Sequence, residues 1–164
     1  MTTSEILQAN QRELILAIFR AILPPERIGT TEWANKYHYF HPTEGATQGK
    51  YDCSQIPYLT WKGNPHESLD DRKTHEVCCQ KSAQVAWTTG ISGNYIGMRI
   101  THEPSPMLII FPKEGAAKDW NREKLVPMIE ATPILSEKIN LKSKSNTWGH
   151  KEFEGGFFKA VGSN

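Results

Sequence analysis

Residues 76–90 read EVCCQKSAQVAWTTG, a short apolar run at Val77-Cys78-Cys79, a small-residue stretch, and then Thr88-Thr89-Gly90. A strand, a tight loop and a helix in that order build an anion-binding turn, because successive backbone N–H groups and a helix N-terminus converge on one point. The general phosphate-loop template is G-x-x-x-x-G-K-[ST]. Laid over residues 81–88, it puts Lys81 on the first glycine, Ala86 on the second, Trp87 on the lysine and Thr88 on the hydroxyl residue. The hydroxyl that would hold magnesium is present, while the cation stands at the start of the loop instead of its end. A loop that curls round a phosphate brings its two ends together, so a lysine stem from either end can reach the β- and γ-phosphates. Ala86 is the weaker point, since glycine takes unusual dihedrals freely and alanine only at a cost. An ordinary turn between a strand and a helix satisfies the same residues and remains an open reading.

The elements around this loop predict an α/β fold. THEVCCQ, at 74–80, is a strand candidate, and TTGISGNYIGMRITH a helix candidate weakened by Gly90, Gly93 and Gly97. Gly93 and Gly97 share a helix face and could let it pack closely on a sheet. MLIIF, at 107–111, is a continuous apolar run of strand length, expected to be buried on both faces and stopped by Pro112. Helices are expected at about 114–130 and 133–139. NTWGHKEFEGGFFKAVG reads as a hairpin turning at Gly155-Gly156. Strand and helix in alternation imply a parallel sheet with right-handed crossovers.

Upstream, residues 4–23 carry a broad apolar stripe of Ile6, Leu7, Leu14, Leu16, Ile18, Phe19 and Ile22, with Ser4 as a cap and Pro24-Pro25 as the stop. Residues 26–70 are rich in turn formers and read as irregular structure, wrapping on the core through Trp33, Tyr37, Tyr39, Tyr51, Tyr58 and Trp61. Three units are therefore expected: an N-terminal helix over 1–25, a wrapping arm over 26–73 and a P-loop core over 74–164.

The whole chain of 164 residues is long enough for one domain with a core. Its net charge of +1 gives no global basic field for nucleic acid. Three cysteines, two of them adjacent, do not make a disulfide framework. The start lacks the basic residues and apolar run of a signal peptide, and no apolar segment reaches bilayer-spanning length, so no membrane role is expected. His66, His75, Cys78 and Cys79 match no usual zinc spacing, and no zinc site is expected. Cys53 lacks an orienting group that would make it a nucleophile.

Several segments in order, TTEWANKYHYF, GATQGKYDCSQIPYL, QKSAQVAWTTG, SPMLIIFPKEGAAKDWNREKLVPMIEATPIL and FKAVGSN, resemble the large terminase subunit of tailed bacteriophages, in the lambda-type branch whose ATPase domain is the GpA family. The resemblance implies a partial P-loop NTPase core, a parallel sheet with flanking helices, preceded by an N-terminal helix and an irregular arm. It implies ATP and Mg²⁺ as cofactors, and double-stranded DNA, a small terminase subunit and a portal protein as partners in packaging DNA into a procapsid. The host cytoplasm is the implied location. The family loop commonly reads S-A-Q-V-G-K-T, where this chain has Ser82-Ala83-Gln84-Val85-Ala86-Trp87-Thr88. Some members carry the lysine at the loop start, which implies Lys81 as the phosphate lysine, residues 82–87 as the cradle and Thr88 as the magnesium ligand. GKYDCSQIPYL resembles the adenine-side segment, with Tyr51, Gln55 and Tyr58 as candidates to stack on a base or read its edge. Core cover for the sheet is an equally open role for those rings. Lys113, Lys118, Arg122 and Lys124 could face DNA phosphates or line a solvated helix face. VGSN matches the start of the motif after the third strand. The family's acidic Walker B pair and its nuclease carboxylates follow that point, so this chain alone is expected not to turn over ATP. The alternative function is a non-catalytic, truncated remnant that binds DNA or protein, for example a small subunit through residues 1–23.

Overall fold

The computed structural model describes residues 11–15, 27–43 and 49–163. Most of the expected N-terminal helix lies outside the described residues; within it, 11–15 are helical and exposed.

The arm is more regular than its composition predicts. Helix α1 (Thr30–Tyr37) leads through a two-residue antiparallel pair, β1 (Tyr39–Phe40) with β2 (Gly49–Lys50), into two 3-10 turns and helix α2 (Pro65–Asp70). Helix α2 begins where Asn64 accepts from the N–H groups of His66 (2.9 Å) and Glu67 (3.2 Å), with Pro65 at the first helical position. The far end of α2 closes the start of α1. Asp70 accepts from the Thr30 backbone N–H at 2.7 Å and from its hydroxyl at 2.6 Å, which places a carboxylate on a helix N-terminus.

Residues 74–80, expected as a strand, join no ladder among the described residues and are almost wholly exposed. A strand is held by its neighbours' hydrogen bonds, and the described sheet offers this segment none. The loop follows, and then one continuous helix, a wide π turn (Thr88–Gly93) running into α3 (Asn94–Thr101). The expected close approach at Gly97 is real but its partner is a helix, not the sheet. A Cβ there would sit 2.1 Å from the Trp33 ring. The indole is fully buried, and its N–H donates to the Thr101 hydroxyl at 2.8 Å.

The sheet holds β3 (Met107–Phe111), β4 (His150–Phe153) and β5 (Gly156–Gly162) in the order β3-β5-β4. Strands β3 and β5 run parallel, Met107 opposite Phe158 and Ile109 opposite Ala160. Strands β4 and β5 form the expected hairpin, turning at Glu154-Gly155 with Gly155 at φ +86°. The helical connection between the parallel strands is α4 (Glu114–Trp120), a second π turn (Asn121–Leu125), α5 (Val126–Ala131) and α6 (Pro133–Lys138). Pro127 lies inside this run, where it cannot donate to the carbonyl four residues back, and the wide turn sits just before it.

The protein is thus a mixed α/β fold with a partly parallel three-stranded sheet. MLIIF is a strand, as expected, but only one of its faces is covered. Met107, Ile109 and Phe111 turn towards the core, where Trp120 stands 5.5 Å from Phe111 and 5.8 Å from Phe158 between ring centroids. Leu108 and Ile110 on the other face remain 60% and 61% exposed. Alternation is the mark of a sheet covered on one side, whereas an unbroken apolar run predicts cover on both.

Because the Trp33 ring leaves no space for a side chain, Gly97→Ala should destabilise the fold by roughly 1–3 kcal/mol through overpacking. Urea unfolding checks this, with Gly115→Ala as a control, since nothing lies within 4 Å of a Cβ at Gly115.

Candidate functional site: the loop 81–88 and its cavity

The loop turns at 83–86, and two of its residues take the left-handed backbone without being glycine, Gln84 at φ 54° and Ala86 at φ 55°. Ala86 is the residue that falls on the template's second glycine. A Cβ disfavours this conformation by about 1–2 kcal/mol, so the surroundings must hold it. Two contacts do so. The Gly90 N–H donates to the Ala86 carbonyl at 2.6 Å, and the Tyr58 hydroxyl donates a short hydrogen bond to the Val85 carbonyl.

A cavity of about 530 Å³ opens beside the loop, its lining including Lys81, Ser82, Val85 and Trp87 together with Tyr58 and Trp61. That volume lies within the range of small-ligand pockets. The Trp61 ring is 64% exposed, the most open of the large apolar side chains described. Lys81 is exposed, and its ammonium donates to the neighbouring Ser82 carbonyl at 3.4 Å. Ala83, Gln84 and Ala86 are exposed, and Thr88 is half-buried on the first turn of the helix. Among the base-side candidates, Tyr58 lines the cavity, whereas Tyr51 and Gln55 are not among its lining residues. Gln55 is exposed, and Tyr51 lies in the core with its ring stacked on His38 at 4.6 Å.

Beneath the loop lies a polar cluster that the sequence did not single out. His66 Nε2 meets the Gly90 carbonyl at 2.6 Å, and its Nδ1 meets the Thr31 hydroxyl at 2.9 Å. Asn94 donates to the same carbonyl at 2.8 Å, and its side-chain oxygen accepts from His38 Nδ1 at 2.5 Å. His38, His66 and Asn94 are fully buried. Burial lowers the His38 pKa from 6.5 to about 4, outweighing the bond to Asn94, and burial moves His66 in the same direction. The signal for α2 was legible in NPHE, an N-cap, a helix-starting proline and an acid at the third position, but the role of His66 depends on its distant partners.

The remaining candidates are dispersed or paired. Among the described residues, no group of three or more His, Cys, Asp or Glu side chains could hold a metal ion. Lys118 pairs with Glu114 at 2.7 Å and lies over the Trp148 ring, while Arg122 meets both Asp119 and Glu123 at 3.0 Å. These helix charges are balanced locally, and such exposed pairs contribute little to stability. No described helix is long and apolar enough to cross a membrane.

The geometry first defines a class, a mixed α/β domain whose left-handed loop opens a long helix beside an aromatic-lined cavity. The family described as "Phage terminase large subunit gpA, ATPase domain" matches residues 45–164, and the chain belongs to it. It is also similar to the "Terminase, large subunit" of Enterobacteria phage P21, with 26% identity over 153 residues, covering 90% of this chain and 23% of that protein. The chain therefore spans about a quarter of the length of the curated relative it matches. No solved structure matches it.

Two outcomes follow from this geometry. Ala86→Gly should stabilise the chain by about 1 kcal/mol, the relief of left-handed strain exceeding the added chain entropy; Ala86→Val should do the reverse. Thermal unfolding of the pair reads the sign. The second concerns pH. Folding depresses the His38 value from 6.5 to about 4, so the unfolded state binds more protons within that window. Stability is therefore complete above pH ~6.5 and is lost as pH falls towards 4, by roughly 3 kcal/mol. Urea titrations at stepped pH should show this slope, and His38→Asn should flatten it.

Proposed function

We propose that residues 81–88 form the phosphate-binding part of an ATP site, and that the chain is an ATP-binding portion of a terminase large subunit that powers movement of double-stranded DNA into a procapsid. The observation that carries the reading is the left-handed Ala86, which holds the loop in a conformation expected of glycine at the matching template position. Lys81 then supplies the positive charge from the start of the loop, and it lines the same cavity as Ser82 and Val85. The backbone of 82–87 and the first turn of the following helix contribute N–H donors to the phosphate oxygens. Thr88 would be the chain's ligand to magnesium, alongside phosphate oxygens. Bound magnesium supplies charge neutralisation on the phosphates. On the base side, Tyr58 and Trp61 offer aromatic surface within the cavity. Tyr51, in the core against His38, and Gln55, outside the cavity lining, are not assigned to the base. The small subunit, the portal and DNA are proposed as partners of the larger assembly, in the host cytoplasm.

The second reading, a non-catalytic binding module, draws support from a different observation. The outer face of β3 presents Leu108 and Ile110 to solvent, an apolar surface suited to a partner rather than to chemistry.

Calorimetry with Mg-ATP on the 164-residue chain separates the two. Binding that Lys81→Ala weakens by at least about tenfold, the effect of one lost charged contact, supports the phosphate site. A folded wild type that takes up no nucleotide favours the binding module.

A further inference from the structure

The carbonyl of Gly90 is held twice, by the His66 ring at 2.6 Å and by the Asn94 amide at 2.8 Å. The N–H of the same residue holds the carbonyl of the strained Ala86 at 2.6 Å. The arm also packs directly on Gly90, since a Cβ on it would lie 2.9 Å from the Tyr51 hydroxyl and 3.4 Å from Ile56. One residue therefore connects the arm, the helix and the loop through its two flanking peptide groups.

The proton positions in this cluster follow from its partners. A carbonyl cannot donate, so His66 carries its proton on Nε2, and the neutral ring accepts from the Thr31 hydroxyl at Nδ1. By the same rule the Asn94 amide nitrogen faces Gly90 and its oxygen faces His38, which donates from Nδ1. All the assigned donors and acceptors are consistent with one arrangement of neutral rings, which burial of both histidines favours.

We propose that His66 is a positioning residue for the phosphate loop, clamping the Gly90 carbonyl so that Ala86 keeps its left-handed conformation and the loop amides stay converged. This rests on the reading of 81–88 as a phosphate site. Its chemistry lies outside the loop, on a helix of the arm, so nucleotide affinity would be set partly by residues 31 and 66, neither of which lines the cavity beside the loop.

The test compares wild type, His66→Ala, His66→Gln and Thr31→Val by amide hydrogen exchange and by Mg-ATP calorimetry. His66→Ala should accelerate exchange at residues 86–90 by about tenfold or more while leaving the sheet at 107–111 and 156–162 unchanged, as expected for one lost buried hydrogen bond. His66→Gln returns a donor near Nε2 and should restore most of the protection and most of the affinity. Thr31→Val frees the ring from its hydroxyl partner and should give a smaller effect in the same direction; it carries the test if His66→Ala fails to fold. Equal acceleration in loop and sheet, or no change at 86–90, would overturn the proposal. Loosened exchange in a chain whose wild type binds no Mg-ATP would overturn the phosphate reading and leave the clamp itself standing.

Discussion

Everything around the loop depends on the indole of Trp33 lying against Gly97. A glycine in the middle of a helix leaves a notch, and the flat ring fills it with its N–H turned to Thr101. This contact seats α1 on α3, and α1 in turn carries Thr31 and His38 to their places under Gly90 and Asn94. Asp70 ties the start of α1 to the end of α2, the helix that bears His66. A single apolar contact thus sets the distances of a polar cluster that could not find its own geometry. Buried polar groups are costly without partners; packing delivers them to both ring nitrogens of His66 and to the Asn94 amide, while His38 Nε2 has none among the described residues.

The loop shows how a left-handed turn can be made without glycine. Left-handed backbone at Ala86 must be held from outside, and Gly90 and Tyr58 supply that restraint through the neighbouring carbonyls. The strain and its support are adjacent in space but come from three parts of the sequence. Membership of the terminase ATPase family gives the arrangement a context.

Local features were legible in the sequence where a local cause decides them. The hairpin at Gly155 needs a positive φ, MLIIF is apolar and β-branched enough for a strand, and Pro112 stops it. The features that depended on distant partners were not. THEVCCQ has strand-forming residues but no ladder neighbour in the described sheet. Gly97 was read as a close-packing residue, yet its partner lies in the arm, which composition presented as irregular. The apolar run at 107–111 predicted cover on both faces, and only the face towards Trp120 has it. The turn at 83–86 ahead of the helix was legible in the small-residue stretch, while the contacts of His66 and Asn94 beneath it were not, because no spacing rule relates a histidine in one helix to a carbonyl in another.

The π turn at Thr88–Gly93 has a consequence for how this region can change by insertion and deletion. A wide turn holds one residue more than an α-helical turn needs. Because the wide turn takes up that residue within a single circuit, deleting it would leave an unbroken α-helix with the loop and Gly97 close to their present angular relation. The stretch between Trp87 and Gly97 can therefore lose one residue at the wide turn and keep loop and notch aligned, whereas a second deletion would turn them apart by about 100°, one residue's step round the axis.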